Sequence, residues 1–407
     1  MNTPVSPTPP GPHKRLGQGE FVAMIAMLFA TIALSIDAML PALPEIAAVM
    51  TPEAPNRAQF VVGAFFLGMG LGTIFTGPLS DAFGRKRVIM WGGAVYCVAA
   101  VICFFAQSFE LFLAARVLQG IGAAGPRTVS MAMVRDLYKG REMARIMSFA
   151  MMIFMLVPAA APLIGQGVIA LAGWHAIFLV YVLFCLITMS WMGVRQPETL
   201  PVADRIPLSL ATMTASARDL FSRRTILVAI VIQSLTMAAM VASISSIEGI
   251  FREYYGREAS FPLWFALIAG LSGFGSLINS RVVMRMGMRR VITVTYTVVL
   301  ALTAVHLLLR LGTDLPPAAD FAVFLAWMVC LFGMMSLTMG NLNALSMEPV
   351  GHIAGFAASM ITALATVLSV VVAMPIGQAF DGTPLPLILG AAVLIALSLA
   401  LMRFLKN

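Results

Sequence analysis

The chain has 407 residues, 60% of them hydrophobic and only 11% charged, with a formal net charge of +8. Soluble globular domains carry about 45–50% apolar and about 25% charged residues, so water is excluded as the solvent for most of this chain. The positive balance does not imply a nucleic-acid partner, because the basic residues are gathered on one side of a succession of apolar runs rather than on one face of a soluble domain.

Residues 1–19 are polar and Pro-rich and read as a disordered cytoplasmic tail. The apolar run after them, 21–43, is too long for a signal-peptide core and lacks a small-residue cleavage site. It contains Asp37. The second run, 57–79, leads into GPLSDAFGRKR (77–87), which packs Asp81, Arg85, Lys86 and Arg87 into seven positions. A third run covers 88–107. The fourth, 109–134, carries Arg116 and Arg127 and is followed by Arg135 and Asp136. The fifth, 144–172, contains Pro158, Pro162, Gly165 and Gly167, and the sixth covers 175–194. Residues 196–224, polar and Pro-punctuated, form the longest interruption and read as a cytoplasmic linker. Six further runs follow at 225–250, 262–283, 291–311, 320–345, 352–379 and 384–404. About 20 apolar residues at 1.5 Å per residue cross about 30 Å of hydrocarbon, so the chain is expected to be an all-α integral membrane protein with twelve transmembrane helices.

Twenty of the 26 Lys and Arg residues fall in the segments that share a side with the N-terminus, and only Arg57, Arg252, Arg257 and Arg310 in those opposite. This asymmetry predicts that both termini are cytoplasmic. The chain also repeats itself. At an offset of 203 residues, Gly70 aligns with Gly273, Gly72 with Gly275, Gly84 with Gly287, Arg87 with Arg290, Val88 with Val291 and Ile89 with Ile292. Six spans return a chain to its starting side, so the halves, 20–195 and 225–407, are expected to be two six-helix bundles of the same orientation enclosing a site at mid-membrane.

GIGAAG (120–125) matches a dinucleotide fingerprint literally, but no strand precedes it and it lies within an apolar helix, so close helix packing is the reading. The four cysteines lie inside predicted spans at no metal-ligand spacing, and no metal or cofactor is implied. No nucleophile and base pair marks an enzyme.

Gly77-x-Leu79-x-Asp81-x-x-Gly84-Arg85-Lys86 resembles the cytoplasmic loop signature of the major facilitator superfamily. SIDAMLPALPEIA (35–47), ARVLQGIGAAGP (115–126), VPAAAPLIGQGVIALAGWHAIF (157–178), INSRVVMRMG (278–287) and GHIAGFAASM (351–360) are similar to its drug:proton antiporter branch, in particular the Bcr/CflA-type drug-resistance group. The resemblance implies the major facilitator fold in a bacterial inner membrane and a chain working as a monomer. It implies efflux of small amphiphilic compounds in exchange for protons by alternating access, with no cofactor.

It also implies residue roles. Gly77, Asp81, Gly84, Arg85, Lys86, Arg135 and Asp136 would form a cytoplasmic gate, with Asn279, Arg281 and Gly287 in the matching loop of the second half. Pro158, Pro162, Gly165 and Gly167 would bend the fifth span. Asp37 and Arg116 would each cost about 2.5–3.5 kcal/mol at a helix centre, so each needs a partner or a wet cavity. Their depths, about 24 Å and about 27 Å from the cytoplasmic ends of their spans, match. They are expected to face each other as proton carrier and modulator. Arg127, three turns after Arg116, would extend the cavity, and Glu248 would stand near its outer mouth. A narrow-substrate metabolite exporter or symporter of the same fold, and a membrane sensor that transports nothing, stay open at this point.

Overall fold

The computed structural model describes residues 16–405, with the side chains of some residues in 141–156, of 210 and 212, and of 351–354 left aside. The tail expected over 1–19 therefore lies, but for residues 16–19, outside the described residues. Among the described residues there is no strand.

Fourteen α-helices follow in order: α1 (Gln18–Asp37), α2 (Leu43–Met50), α3 (Phe60–Phe83), α4 (Arg85–Phe105), α5 (Phe109–Leu137), α6 (Gly140–Ala172), α7 (Ala176–Arg195), α8 (Leu210–Ser222), α9 (Arg224–Gly249), α10 (Phe261–Met286), α11 (Met288–Gly312), α12 (Pro317–Met347), α13 (Ala354–Gln378) and α14 (Leu385–Leu401). Leaving aside the short α2 and α8, twelve are long. Ten candidate spans are long and apolar enough to cross a membrane. α5 and α6, at 29 and 33 residues, also have the length; α5 carries more polar side chains, and α6 is apolar over Val157–Ala172. Large apolar side chains such as Leu183 and Ile187 on α7, Val298 and Val305 on α11, and Val393 and Leu397 on α14 point outward, exposed. Such a belt is stable only against hydrocarbon.

The first span differs from the continuous helix expected over 21–43. It breaks after Asp37, passes through a short 3₁₀ turn (Leu40–Ala42) and resumes as α2. Pro41 and Pro44 contribute to the break: neither has an N–H to donate to the carbonyls of Asp37 and Leu40, so two rungs of the α-helical ladder are missing there. The linker is likewise not all loop, since it contains α8.

α1 to α7 pack among themselves, as do α9 to α14, and the two groups meet where α3 lies against α13 and α6 against α10. α1 and α9 are buried almost all round, at the centre of the assembly. The internal repeat is visible in the packing. A methyl group at Gly72 would stand 2.8 Å from the Ile121 carbonyl oxygen and from the Ala124 methyl; one at Gly275 would stand 3.2 Å from the Gly333 carbonyl oxygen and 3.0 Å from the Ser336 side chain. Residues 121 and 124 lead to 333 and 336 by one common shift, so the second and fourth long helices of each half cross in the same way. Gly84 and Gly287 join the second and third long helices of their halves at φ +100° and +77°, a backbone region that a side chain disfavours. In each half a tyrosine hydroxyl of the third long helix meets a hydroxyl of the first: Tyr96 with Ser35, and Tyr296 with Thr236 at 2.6 Å.

GIGAAG is a packing element. Side chains at Gly120 and Gly122 would collide with the backbones of α3 (Phe65 carbonyl) and α4 (Tyr96 and Gly92) respectively. Small residues on two faces let α5 lie between two neighbours at backbone contact.

Candidate functional site

Asp37 is the last residue of α1 and is buried, 5% exposed. Among the described residues its carboxylate has no hydrogen-bond donor and no cation within 4.0 Å. The C-terminal end of a helix carries the negative pole of the peptide dipoles, an unfavourable place for fixed negative charge. Arg116, seven residues into α5, is fully buried. Its guanidinium donates to three neutral acceptors: the Ser35 carbonyl at 3.1 Å, the Val61 carbonyl at 3.3 Å and Gln119 Oε1 at 2.6 Å. It also stands 4.8 Å from the centre of the Phe65 ring. Asp37 and Arg116 are therefore not an ion pair here. What joins them is Ser35, whose carbonyl accepts from Arg116 and, at 3.3 Å, from the Tyr181 hydroxyl, two residues before the acid.

This neutral ring was not among the sequence candidates. Ser35, Tyr96, Gln119 and Tyr181 come from α1, α4, α5 and α7, and all are buried. Their common signal is polarity inside an apolar span, which Tyr96 and Tyr181 share with several other residues. Chemically, the arrangement offers an unpaired acid that can take or release a proton, beside a cation satisfied without it.

Gly165 builds the other wall. A methyl group there would overlap the backbone of Ala38, so α6 touches α1 at the residue next to Asp37. A methyl group at Gly167 would meet nothing within 4 Å. α6 runs unbroken through Pro158 and Pro162.

Arg127 lies on α5 eleven residues beyond Arg116 and donates to the sulfur of Met69 at 3.6 Å. Glu248, one residue before the end of α9, is 6% exposed, and its partner is Arg252 at 3.8 Å. Its neighbour Ser246 donates to Gln59 Oε1 of the first bundle at 3.4 Å.

At the end that carries the termini, Arg85 holds the loop after α3. Its guanidinium bonds Asp81 at 2.5 Å, Ser80 Oγ at 2.7 Å and Asp136 at 3.1 Å. Lys86 Nζ donates to the Gly193 carbonyl at 2.7 Å. Arg135 is exposed and takes no part in these ion pairs, because neighbouring residues on a helix point 100° apart and Asp136 is the one turned to Arg85. The linker completes the cluster. Glu198 accepts from the backbone N–H groups of Arg85 at 2.8 Å and Lys86 at 3.2 Å, capping α4, and Thr199 Oγ1 donates to Asp136 at 3.0 Å. These groups all belong to the first bundle and the linker. Gly77, by contrast, faces the second bundle, where a methyl group would lie 3.0 Å from Ser359 Oγ. In the matching loop, Asn279 accepts from Asn341 at 2.8 Å, and Arg281 is exposed. Gly287 borders a shallow cavity of about 590 Å³ lined by Arg289, Arg290, Thr293 and Glu348.

Among the described residues, side-chain hydrogen bonds between the two bundles are found at the opposite end. Asn56 donates to the carbonyls of Gln378 at 3.2 Å and Phe380 at 2.7 Å, Gln378 donates back to the Asn56 carbonyl at 2.8 Å, and the Ser246–Gln59 bond lies nearby.

Comparison with known proteins agrees with this architecture. The Major Facilitator Superfamily family model matches residues 23–374. A bicyclomycin resistance protein homolog of Haemophilus influenzae is 27% identical over 382 residues, 92% of this chain and 94% of that protein. The multidrug resistance protein MdtL of Salmonella heidelberg is 30% identical over 247 residues, 58% of this chain and 60% of that one. Among solved structures, a D-xylose-proton symporter superposes with a TM-score of 0.75 at 13% identity, covering 95% of this chain and 98% of that one, a likeness of fold.

Proposed function

The chain belongs to the major facilitator superfamily, and from that premise we propose that it exports small amphiphilic compounds, drugs among them, in exchange for protons. It is a multi-pass membrane transporter of small molecules, not an enzyme. In the proposed cycle it works as a monomer in a bacterial inner membrane with both termini in the cytoplasm, and the two bundles rock about the centre so that it opens to one side at a time. An inward proton supplies about 2.3 kcal/mol per 100 mV, in addition to the pH gradient.

The observation that carries this reading is the state of Asp37: a buried carboxylate in the membrane with no cation within 4.0 Å among the described residues. A static structural acid would be held by an arginine, and Arg116, the arginine bound two residues away, is satisfied by neutral acceptors instead. An acid left free in this way suits a group that must change its charge once per cycle. Arg116 acts as modulator: its positive charge, held on the Ser35 carbonyl two residues before the acid, favours release of the proton. The drug-resistance relatives support efflux over uptake.

The test is a susceptibility panel in an efflux-deficient host, run with the wild type, Asp37→Asn and Arg116→Ala, together with proton-flux measurements in inside-out vesicles. Protection and substrate-induced proton release are expected from the wild type alone. Equal protection by all three would remove the mechanism. Protection against none of the drugs by the wild type would favour a dedicated metabolite exporter or a sensor.

A further inference from the structure

Arg127 is an interior charge that this cycle does not use. Among the described residues no carboxylate lies within 4.0 Å of it, and its contact is the thioether of Met69. An arginine within a span usually reaches back to the nearer interface, where its charge is hydrated. Here it does the reverse. Arg127 is ten residues from the end of α5 at Leu137, about 15 Å, whereas Met69 is fourteen residues from the end of α3 at Phe83, about 21 Å. The ion pair of Arg85 with Asp136, at 3.1 Å, holds those two helix ends at one level. The guanidinium is therefore drawn deeper into the bilayer than its own α-carbon. It also points inward, since Leu71 and Phe75 mark the outer face of α3 while Met69 is 1% exposed on the opposite face. A guanidinium presents five N–H donors in a planar fork shaped for a carboxylate, and a thioether is a weak acceptor that leaves nearly all of them unused.

We propose that Arg127 is a substrate-binding residue that receives a carboxylate, and that the exported compounds include amphiphiles bearing one. The proposal rests on the export reading above. It fixes the charge moved per cycle. A neutral compound leaving against one entering proton moves one charge inward. A carboxylate leaving against the same proton moves two, because an outgoing anion is equivalent to an incoming cation. Carboxylate export is thus driven by the membrane potential twice as steeply as export of its neutral analogue, and it continues when the pH gradient is abolished.

The matched probes are a diethylaminocoumarin carboxylate and its neutral carboxamide, titrated by fluorescence onto the full-length wild type, Arg127→Gln and Arg127→Lys, then followed in inside-out vesicles at clamped potential. The wild type is expected to bind the carboxylate more tightly than the amide. Arg127→Gln weakens the carboxylate roughly tenfold, the loss of one charge-assisted contact, and leaves the amide unchanged, while Arg127→Lys restores part of the difference. Failure of the wild type to bind the carboxylate, or an equal loss of both probes in Arg127→Gln, overturns the proposal. The export reading is tested separately by Asp37→Asn: if that variant still concentrates both probes, proton coupling through Asp37 fails while the binding preference at Arg127 stands.

Discussion

Arg116 donates to the backbone carbonyl of Ser35 at 3.1 Å, so the buried cation of α5 grips the main chain of α1 two residues before its acid. A main-chain acceptor keeps its place whatever side chain Ser35 carries and whatever the protonation state of Asp37. The arginine is fixed by geometry rather than by charge.

Lysine cannot reproduce this grip, because one ammonium cannot reach Ser35, Val61 and Gln119 in the fork arrangement that the guanidinium spans. Arg116→Lys is expected to insert and fold yet lose most transport, whereas Arg116→Ala leaves a void and three unsatisfied acceptors and destabilises by about 2–5 kcal/mol. Thermal unfolding of the detergent-solubilised protein beside vesicle transport separates the two. Equal activity of Arg116→Lys and the wild type would show that charge alone matters.

Tyr181→Phe removes the second donor to the same carbonyl. The first donor remains, so a loss of about 0.5–1.5 kcal/mol is expected with transport retained. A melting temperature matched to that of Arg116→Ala would show that the hydroxyl, not the guanidinium, organises the ring.

Gly165 and Gly167 are expected to part company. Gly165→Ala forces α6 from the Ala38 backbone, at about 1–3 kcal/mol for an overpacked contact, and displaces Asp37 with it. Gly167→Ala enters open space and gains up to about 1 kcal/mol of helix propensity. Proton-coupled transport by the two variants, side by side, checks this; equal loss in both would point to flexibility rather than contact as the role of these glycines.

Glu198→Ala uncaps α4. It leaves the N–H groups of Arg85 and Lys86 without their carboxylate, and a loss of about 0.5–2 kcal/mol is expected, confined to the loop. Faster proteolysis of the linker and faster hydrogen exchange in the first turn of α4 are the readouts, and unchanged exchange there would mean that the linker does not hold the loop.

How much of this was legible in the sequence depended on range. Run length and basic asymmetry carry the twelve helices because the bilayer is a fixed ruler, and the alignment of Gly84 with Gly287 carries the repeat because both halves need the same left-handed junction. The break after Asp37 was legible too, in Pro41 and Pro44, but the apolar run masked it. The ring around Ser35 was not: Tyr181 lies 146 residues away, and no periodicity encodes that meeting. Glu198 was equally silent, a single acid in a polar linker whose role comes from where α7 delivers it. Arg116 and Asp37 were found because charge in hydrocarbon is conspicuous; their matching depths suggested that they face each other, but not that the guanidinium is held by a backbone carbonyl two residues before the acid.

The cross-links among Asn56, Gln378, Phe380, Gln59 and Ser246 make the molecule resemble a clothes-peg nipped at one rim. Such bonds are worth about 0.5–1.5 kcal/mol each, so a few of them hold a sum comparable with the work a cell's voltage does on one charge. In the proposed cycle these bonds lie far from Asp37, so trimming one or two of these amides is expected to shift the balance between the two open states, read as altered accessibility of a cysteine introduced at either rim.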